Sequence, residues 1–413
     1  MRSLALGAAA GLAVIVAGRP SEGQAPFRLP APTGPYAVGT TSWNVVDAHR
    51  LETFATTRRP RDVQVLAWYP ANASPSSGPP RRAPYLRESI VEARAFATLL
   101  RAPGAYDSLA VVETDASLDA DVVSGTTPLP LLVFSPGFTG LASASTALIE
   151  DLASHGYVVL DIVHPYEVVA ATLSDGSVVT MLDSTGGPRT ELRRIFTEWA
   201  DEDSTMARVT RATSDAARLT LLRAYFAGLT ATREALDRWV ADTRLVLDDL
   251  AAQSRSTLAG RLATRVDTRR VGVFGHSMGG VVAGQFCSVD TRCVAGLNLD
   301  GIPQSGTMID AKNAPPFLMV YSGRPARLGA NDAIYSRAST RYCRVDVPGT
   351  LHLDFSDMNA WGGPLRARGA FGSIAPDRAA DVTRNIVRGY FDEQLRGTRS
   401  TNPCRRTAAK ERG

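Results

Sequence analysis

Apolar and polar positions along this chain fall into blocks of two kinds, short continuous apolar runs and longer stretches with a three-to-four-residue period. The runs Leu129–Phe134, Tyr157–Val163, Val294–Leu299 and Pro316–Tyr321 are bounded by polar or turn residues and predict strands buried on both faces. Val266–Phe274 and Tyr342–Val347 extend the series. Between them lie three helical patterns. Ser143–Ser154 is stopped by Gly156, Glu234–Leu250 carries Leu236, Trp239, Val240, Thr243 and Leu247 on one face, and Asp377–Leu395 carries Val382, Ile386, Tyr390 and Leu395. Strand, helix, strand, repeated, predicts an α/β fold with a mostly parallel central sheet and helices on both faces.

Other segments depart from that alternation. Val45–Phe54 and Asp62–Tyr69 read as an antiparallel pair at a sheet edge, and Ala73–Pro84, rich in Ser, Pro and Gly, reads as a loop. Asp175-Gly176 at the centre of Thr172–Thr180 is a hairpin signal. From Thr190 to Gly228 the chain is charged and amphipathic, and a helical insertion over about 184–228 is the candidate cap. A surface insertion with no part in substrate entry is the equal alternative.

The first residues change the picture of where the protein works. Met1-Arg2, the apolar stretch Leu4–Ala17, Gly18 and a polar, proline-containing exit predict a signal peptide over 1–25 and a secreted or periplasmic protein, an uncleaved anchor being the alternative. One main domain is then expected over 26–397 and a basic tail over 398–413. With 413 residues, 44% of them hydrophobic and 21% charged, the chain can bury a large core. Four cysteines fit an oxidising compartment. Cys287 and Cys293 are expected to close a short loop, which leaves Cys343 with Cys404; three connectivities are open from sequence. No C-x-x-C pair has metal spacing, so no metal is expected. The 45 basic and 41 acidic residues nearly balance and are scattered, which gives nucleic-acid binding no support.

The chemistry starts at Gly275-His276-Ser277-Met278-Gly279, entered by an apolar strand and left by a small-residue helix. Such a turn exposes the serine hydroxyl, and the flanking glycines let strand and helix pass without a Cβ clash. A serine needs a base, and the base an acid that fixes its tautomer. His352 is the single histidine beyond the elbow, in a loop leaving the last strand. For the acid, Asp300 ends the strand Val294–Leu299 and is favoured over Asp332 and Asp354, because a strand end anchors a carboxylate better than a polar loop. The backbone N–H groups of Met278 and Phe138 are the expected oxyanion donors, the latter within Gly137-Phe138-Thr139-Gly140. Gly137, Thr139, His164 and His276 are candidate pocket residues. His155 reads as a helix-end residue and His49 as surface.

Together these pieces resemble the platelet-activating factor acetylhydrolase family of α/β-hydrolases. The matching segments are Pro130–Phe138, the elbow, Leu299-Asp300-Gly301 and Gly349–Asp357. The resemblance implies the α/β-hydrolase fold and an acid just after the strand that follows the elbow, which supports Asp300. Pro136, where that family commonly has histidine, and Gly301, where it has a bulkier residue, are departures. The segment Phe134–Gly140 is also similar to bacterial cutinases and polyester hydrolases, which place the acid one strand later, near Asp332. The expectation is a serine carboxylic ester hydrolase acting on short-chain or phospholipid-type esters through an acyl-enzyme, without cofactor. A small-molecule or lipid ester is the expected partner, with transient contact to a lipid surface. Polyester or triglyceride hydrolysis and a non-catalytic binding protein are the alternatives.

Overall fold

The computed structural model describes residues 27–72, 81–312, 314–339, 341–398 and 402–404; the expected signal peptide and the basic residues from Arg405 lie outside them. Among the described residues the strands are β1 (Ala37–Leu51), β2 (Pro60–Ala71), β3 (Arg82–Pro84), β4 (Glu113–Leu118), β5 (Leu129–Ser135), β6 (Val158–Val163), β7 (Ala170–Thr172), β8 (Val178–Thr180), β9 (Val266–His276), β10 (Cys293–Leu299), β11 (Phe317–Ser322) and β12 (Tyr342–Val347). Ten of them form one sheet in the order β12-β11-β10-β9-β5-β6-β2-β1-β4-β3. The six from β12 to β6 run parallel, as buried apolar runs joined by helices must. The fold is α/β with helices on both faces.

The period of two inside each run decides which helix it meets. On one face Leu131, Val133, Val271 and Val273 pack with the helices Thr230–Ala252 and Met278–Val289. On the other, Leu132, Phe134, Phe274 and Leu297 pack with Thr146–Ser154 and Pro376–Arg396. Trp239 is wholly buried on the first face and Phe391 on the second. Each such large side chain contributes about 1.5–3 kcal/mol by leaving water.

The β1–β2 pair is antiparallel as expected, but it is not at the edge. Gln64–Trp68 of β2 pair with β6, and Gly39 and Thr40 of β1 pair with β4. Val63, Val65, Leu66, Ala67, Trp68 and Tyr69 are all buried, so both faces of β2 are covered as in an interior strand. The edge falls to β4 and β3, too short and polar to stand out as apolar patterns, and Arg82–Pro84 lies in the stretch expected to be loop. The hairpin at Asp175-Gly176 is β7–β8, a separate two-stranded sheet with Gly176 at φ 79°. The segment after it forms three helices, Thr190–Glu198, Glu202–Arg211 and Asp215–Ala227.

Two disulfides join Cys287 to Cys293 and Cys343 to Cys404. The second spans 61 residues of sequence and ties the C-terminal end to β12. Closing a loop of that length in the unfolded chain is worth about 4 kcal/mol in the chain-entropy description. Cys343→Ser with Cys404→Ser is therefore expected to lower the unfolding free energy by about 2–4 kcal/mol in urea titration. The same pair of changes should leave the elbow chemistry intact, and an unaltered midpoint would contradict the expectation.

Candidate active site

The buried strand β9 delivers Ser277 at its end, and the helix Met278–Val289 starts on the next residue. Ser277 has φ 56° and ψ −125°, a left-handed conformation that a serine adopts only where its surroundings impose it. Two glycines make the turn passable. A Cβ on Gly275 would run into the Gly279 backbone, and one on Gly279 into the carbonyls of Ser135 and Pro136. The Ser277 N–H is spent on Leu299 O at 2.9 Å, which anchors the elbow to the end of β10.

Asp300 is the next residue of that neighbouring strand, also left-handed at φ 56°. Its N–H donates to Val320 O at 2.8 Å and its Oδ1 accepts the Ser322 N–H at 2.6 Å, so the carboxylate is fixed between β10 and β11. Its Oδ2 lies 2.8 Å from His352 Nδ1. Burial opposes ionisation of Asp300, but the hydrogen bond and charge of His352, with the Ser322 N–H, hold its carboxyl below the ordinary carboxylate range. Gly301 follows because a Cβ there would meet the Ser277 carbonyl and Asn298, a physical reason for its small size. The other acids are engaged elsewhere. Asp332 accepts from Tyr321, Tyr342 and Arg344, and Asp354 from the Leu351 and Gly372 N–H groups.

His352 opens a short 3-10 turn after β12 and keeps about a quarter of its side chain exposed (24%). With Nδ1 turned to Asp300, its Nε2 is free to face outward. His276 braces it from below: the rings lie 4.6 Å apart, and His276 Nε2 donates to the His352 carbonyl at 2.9 Å. Burial and the nearby His352 push the His276 imidazole down to about 3, so it stays neutral. His276, expected to line a pocket, is thus a buried support of His352. Among the described residues the Ser277 hydroxyl makes no hydrogen bond to His352. Such contacts in unliganded enzymes commonly close only when substrate binds.

The turn Gly137–Gly140 leaves β5 beside the elbow, and a Cβ on Gly137 would touch the His276 ring and Ser277. Within it the Thr139 N–H is committed to Glu167 O and the Gly140 N–H to Gly137 O, which leaves the N–H groups of Gly137 and Phe138. Thr139 is left-handed at φ 57°. His164 is fully buried, with Nδ1 on Asp242 at 2.8 Å and its ring stacked on Trp239, so it sits behind this turn and not on an open pocket wall.

The inserted helices lie on the same side of the sheet. Phe196 and Trp199 contact the Phe138 ring, with centroids 5.8 and 5.3 Å away. Glu202 and Asp203 pair with Arg327 at 2.7 and 2.9 Å, Arg324 reaches Asp203, and Gln304 donates to Glu202. No local pattern in the sequence marks these residues; only the return of a distant helix onto the loops after β10 and β11 brings them to the site.

A strained serine between parallel strand and helix, with a histidine–aspartate pair at the same carboxyl edge, is how an α/β-hydrolase is built, and that is the class this fold defines. The comparisons agree. Residues 23–176 match the family model described as platelet-activating factor acetylhydrolase, isoform II, a segment that holds Phe138 but ends before Ser277. No curated protein matches the chain. Among solved structures, the ferulic acid esterase from Streptomyces cinnamoneus is 28% identical with a TM-score of 0.67, over 91% of this chain and 95% of that one. The chain is a serine ester hydrolase of α/β-hydrolase fold, and its resemblance to the platelet-activating factor acetylhydrolases holds over the matched segment. An esterase of this kind takes a small-molecule ester.

Proposed function

We propose that Ser277 is the nucleophile, His352 the general base and Asp300 the acid that orients it, in hydrolysis of a carboxylic ester through an acyl-enzyme. The 2.8 Å contact between His352 Nδ1 and Asp300 Oδ2, one strand end away from the strained Ser277, carries this reading. The Ser277 oxygen adds to the ester carbonyl while its proton passes to His352 Nε2. The tetrahedral oxyanion is held by the Phe138 and Met278 N–H groups, and the alcohol leaves with the proton from His352. Water then repeats the sequence on the acyl-enzyme and releases the acid.

Two observations bear on the acyl group. The rings of Phe138, Phe196 and Trp199 form an aromatic wall at the oxyanion turn, which suits an aromatic acyl group such as the feruloyl group of a ferulic acid ester, in keeping with the neighbour's being a ferulic acid esterase. The family match over 23–176 favours a phospholipid-type ester instead, with contact to a lipid surface, and the inserted helices would then cover the site as a cap. Both disulfides favour an exported protein, and among the described residues no helix is long and apolar enough to cross a membrane.

A fluorophosphonate probe is expected to label Ser277 alone, as read by peptide mapping. In the same preparation methyl ferulate should be turned over faster than an oxidised phospholipid or a polyester film. A faster phospholipid reaction would shift the substrate to the lipid class. Neither labelling nor turnover of any ester would return the chain to a binding role.

A further inference from the structure

Behind the oxyanion turn lies a buried ion cluster that the reaction itself does not use. Arg61, 1% exposed in the middle of the sheet, donates to Glu52 at 2.7 Å, to Asp242 at 2.7 and 3.3 Å, to Glu167 at 3.4 Å and to the Pro165 carbonyl at 3.3 Å. Arg238 clamps Glu167 with two bonds of 2.6 and 2.9 Å, and Arg50 pairs with Asp242 at 2.9 Å. The guanidinium groups of Arg50, Arg61 and Arg238 thus meet the carboxylates of Glu52, Glu167 and Asp242. Arg50 also pairs with Asp47 at 2.5 Å, and burial keeps His164 neutral, so that its Nδ1–H serves as one more donor to Asp242.

Such a cluster is a weak source of stability, because desolvating the ions offsets their attraction. What it supplies is fixed geometry, and its contacts run to one place. The Glu167 carboxylate is held by Arg61 and Arg238, and the carbonyl of that same residue receives the Thr139 N–H at 2.8 Å. Val169 N–H then donates to Gly140 O at 3.0 Å, closing the turn from its other end. A second path goes from Asp242 through His164 to Trp239, stacked at 3.8 Å, and from Trp239 to Phe138 at 6.4 Å. Both Thr139 (φ 57°) and Tyr166 (φ 67°) are left-handed, conformations that cost on the order of 1–3 kcal/mol each and persist only when over-determined.

We propose that the Arg61 cluster is the frame of the oxyanion turn, with Glu167 and Arg61 as positioning residues that aim the Phe138 N–H at the transition state. The inference rests on the reading of Ser277 and Phe138 given above. Its signature is a loss in the chemical step and not in binding, since a misaimed donor weakens the oxyanion more than the bound ester.

The experiment compares wild type with Glu167→Gln, which keeps the shape and removes the charge. Active sites are titrated with a fluorophosphonate, p-nitrophenyl acetate turnover is expressed per titrated site, and phenylboronic acid serves as the tetrahedral analogue. Glu167→Gln should lower kcat per site by about 10–100-fold, with KM within about twofold and the boronic acid Ki raised in proportion to the loss in kcat. A kcat within about twofold of wild type, or a change confined to KM, overturns the proposal. Should Glu167→Gln not fold, Arg238→Ala, at the solvent side of the cluster, carries the test with a drop of about 3–10-fold, and an unchanged kcat overturns the proposal there too. A wild type that neither labels nor turns over ester sinks the Ser277 reading and this one together; a labelled, active wild type with an unchanged variant sinks this one alone.

Discussion

Ser277→Ala is expected to lower kcat for a simple aryl ester by about 10⁶-fold while the protein folds as before. A factor of that size is about 8 kcal/mol of barrier, more than positioning or one hydrogen bond supplies, and it belongs to the covalent step. Without the hydroxyl there is no acyl-enzyme, so oxyanion donors and pocket can assist only water. The fold should not notice. Among the described residues the Ser277 hydroxyl has no hydrogen-bond partner, and the contacts that shape the elbow are backbone contacts, the Ser277 N–H on Leu299 O and the Gly279 backbone against Ser135. Unfolding free energy is therefore expected within about 0.5 kcal/mol of wild type. KM should move little, because the substrate's contacts with the pocket remain. Turnover near the wild-type rate would remove Ser277 from the chemistry.

Much of this architecture is legible in the sequence because it depends on local pattern. The apolar runs of β5, β6, β9, β10 and β11 sit where the runs place them, since a strand covered on both faces has little room for polar residues. The elbow is legible for a steric reason: Gly275 and Gly279 stand where backbone meets backbone and no side chain fits. Less local features escape. β3 and β4 are short edge strands of mixed polarity, and the β1–β2 pair lies inside the sheet because β4 returns to β1 from far along the chain. The same holds at the site. Arg61 and Glu167 read singly as charged residues in or beside strands, where solvent would ordinarily be assumed; only tertiary packing brings them together with Asp242 out of water. His164 shows the converse. Its position at the end of β6 suggests the active edge, but a residue one layer deeper meets Asp242 and Trp239 before any substrate.

The acid is where two placements of the same chemistry part, and Asp300→Asn set beside Asp332→Asn separates them. Asp300→Asn is expected to cut kcat by about 10⁴-fold with KM nearly unchanged, because the asparagine amide can donate to His352 Nδ1 and hold the imidazole in the wrong tautomer. The Ser322 N–H still finds an oxygen at that position, so the turn should keep its shape. Asp332→Asn loses part of its bonds to Tyr321, Tyr342 and Arg344, which should lower stability but leave kcat within about threefold. A reversal of the two would place the acid one strand later, as in the cutinase-like arrangement. Acid titration gives a second, independent reading. Asp300 is held below its ordinary range in the folded protein, so the unfolded chain takes up its proton first as pH falls. The stability this carboxylate contributes is full above about pH 4, the unfolded value, and is lost as pH drops through the lower folded value. The gap in unfolding free energy between wild type and Asp300→Asn should therefore be constant through neutral pH and close below about pH 4. A gap that stays open to the lowest pH at which the protein folds would mean that Asp300 contributes as a packed side chain and not as a charge on His352.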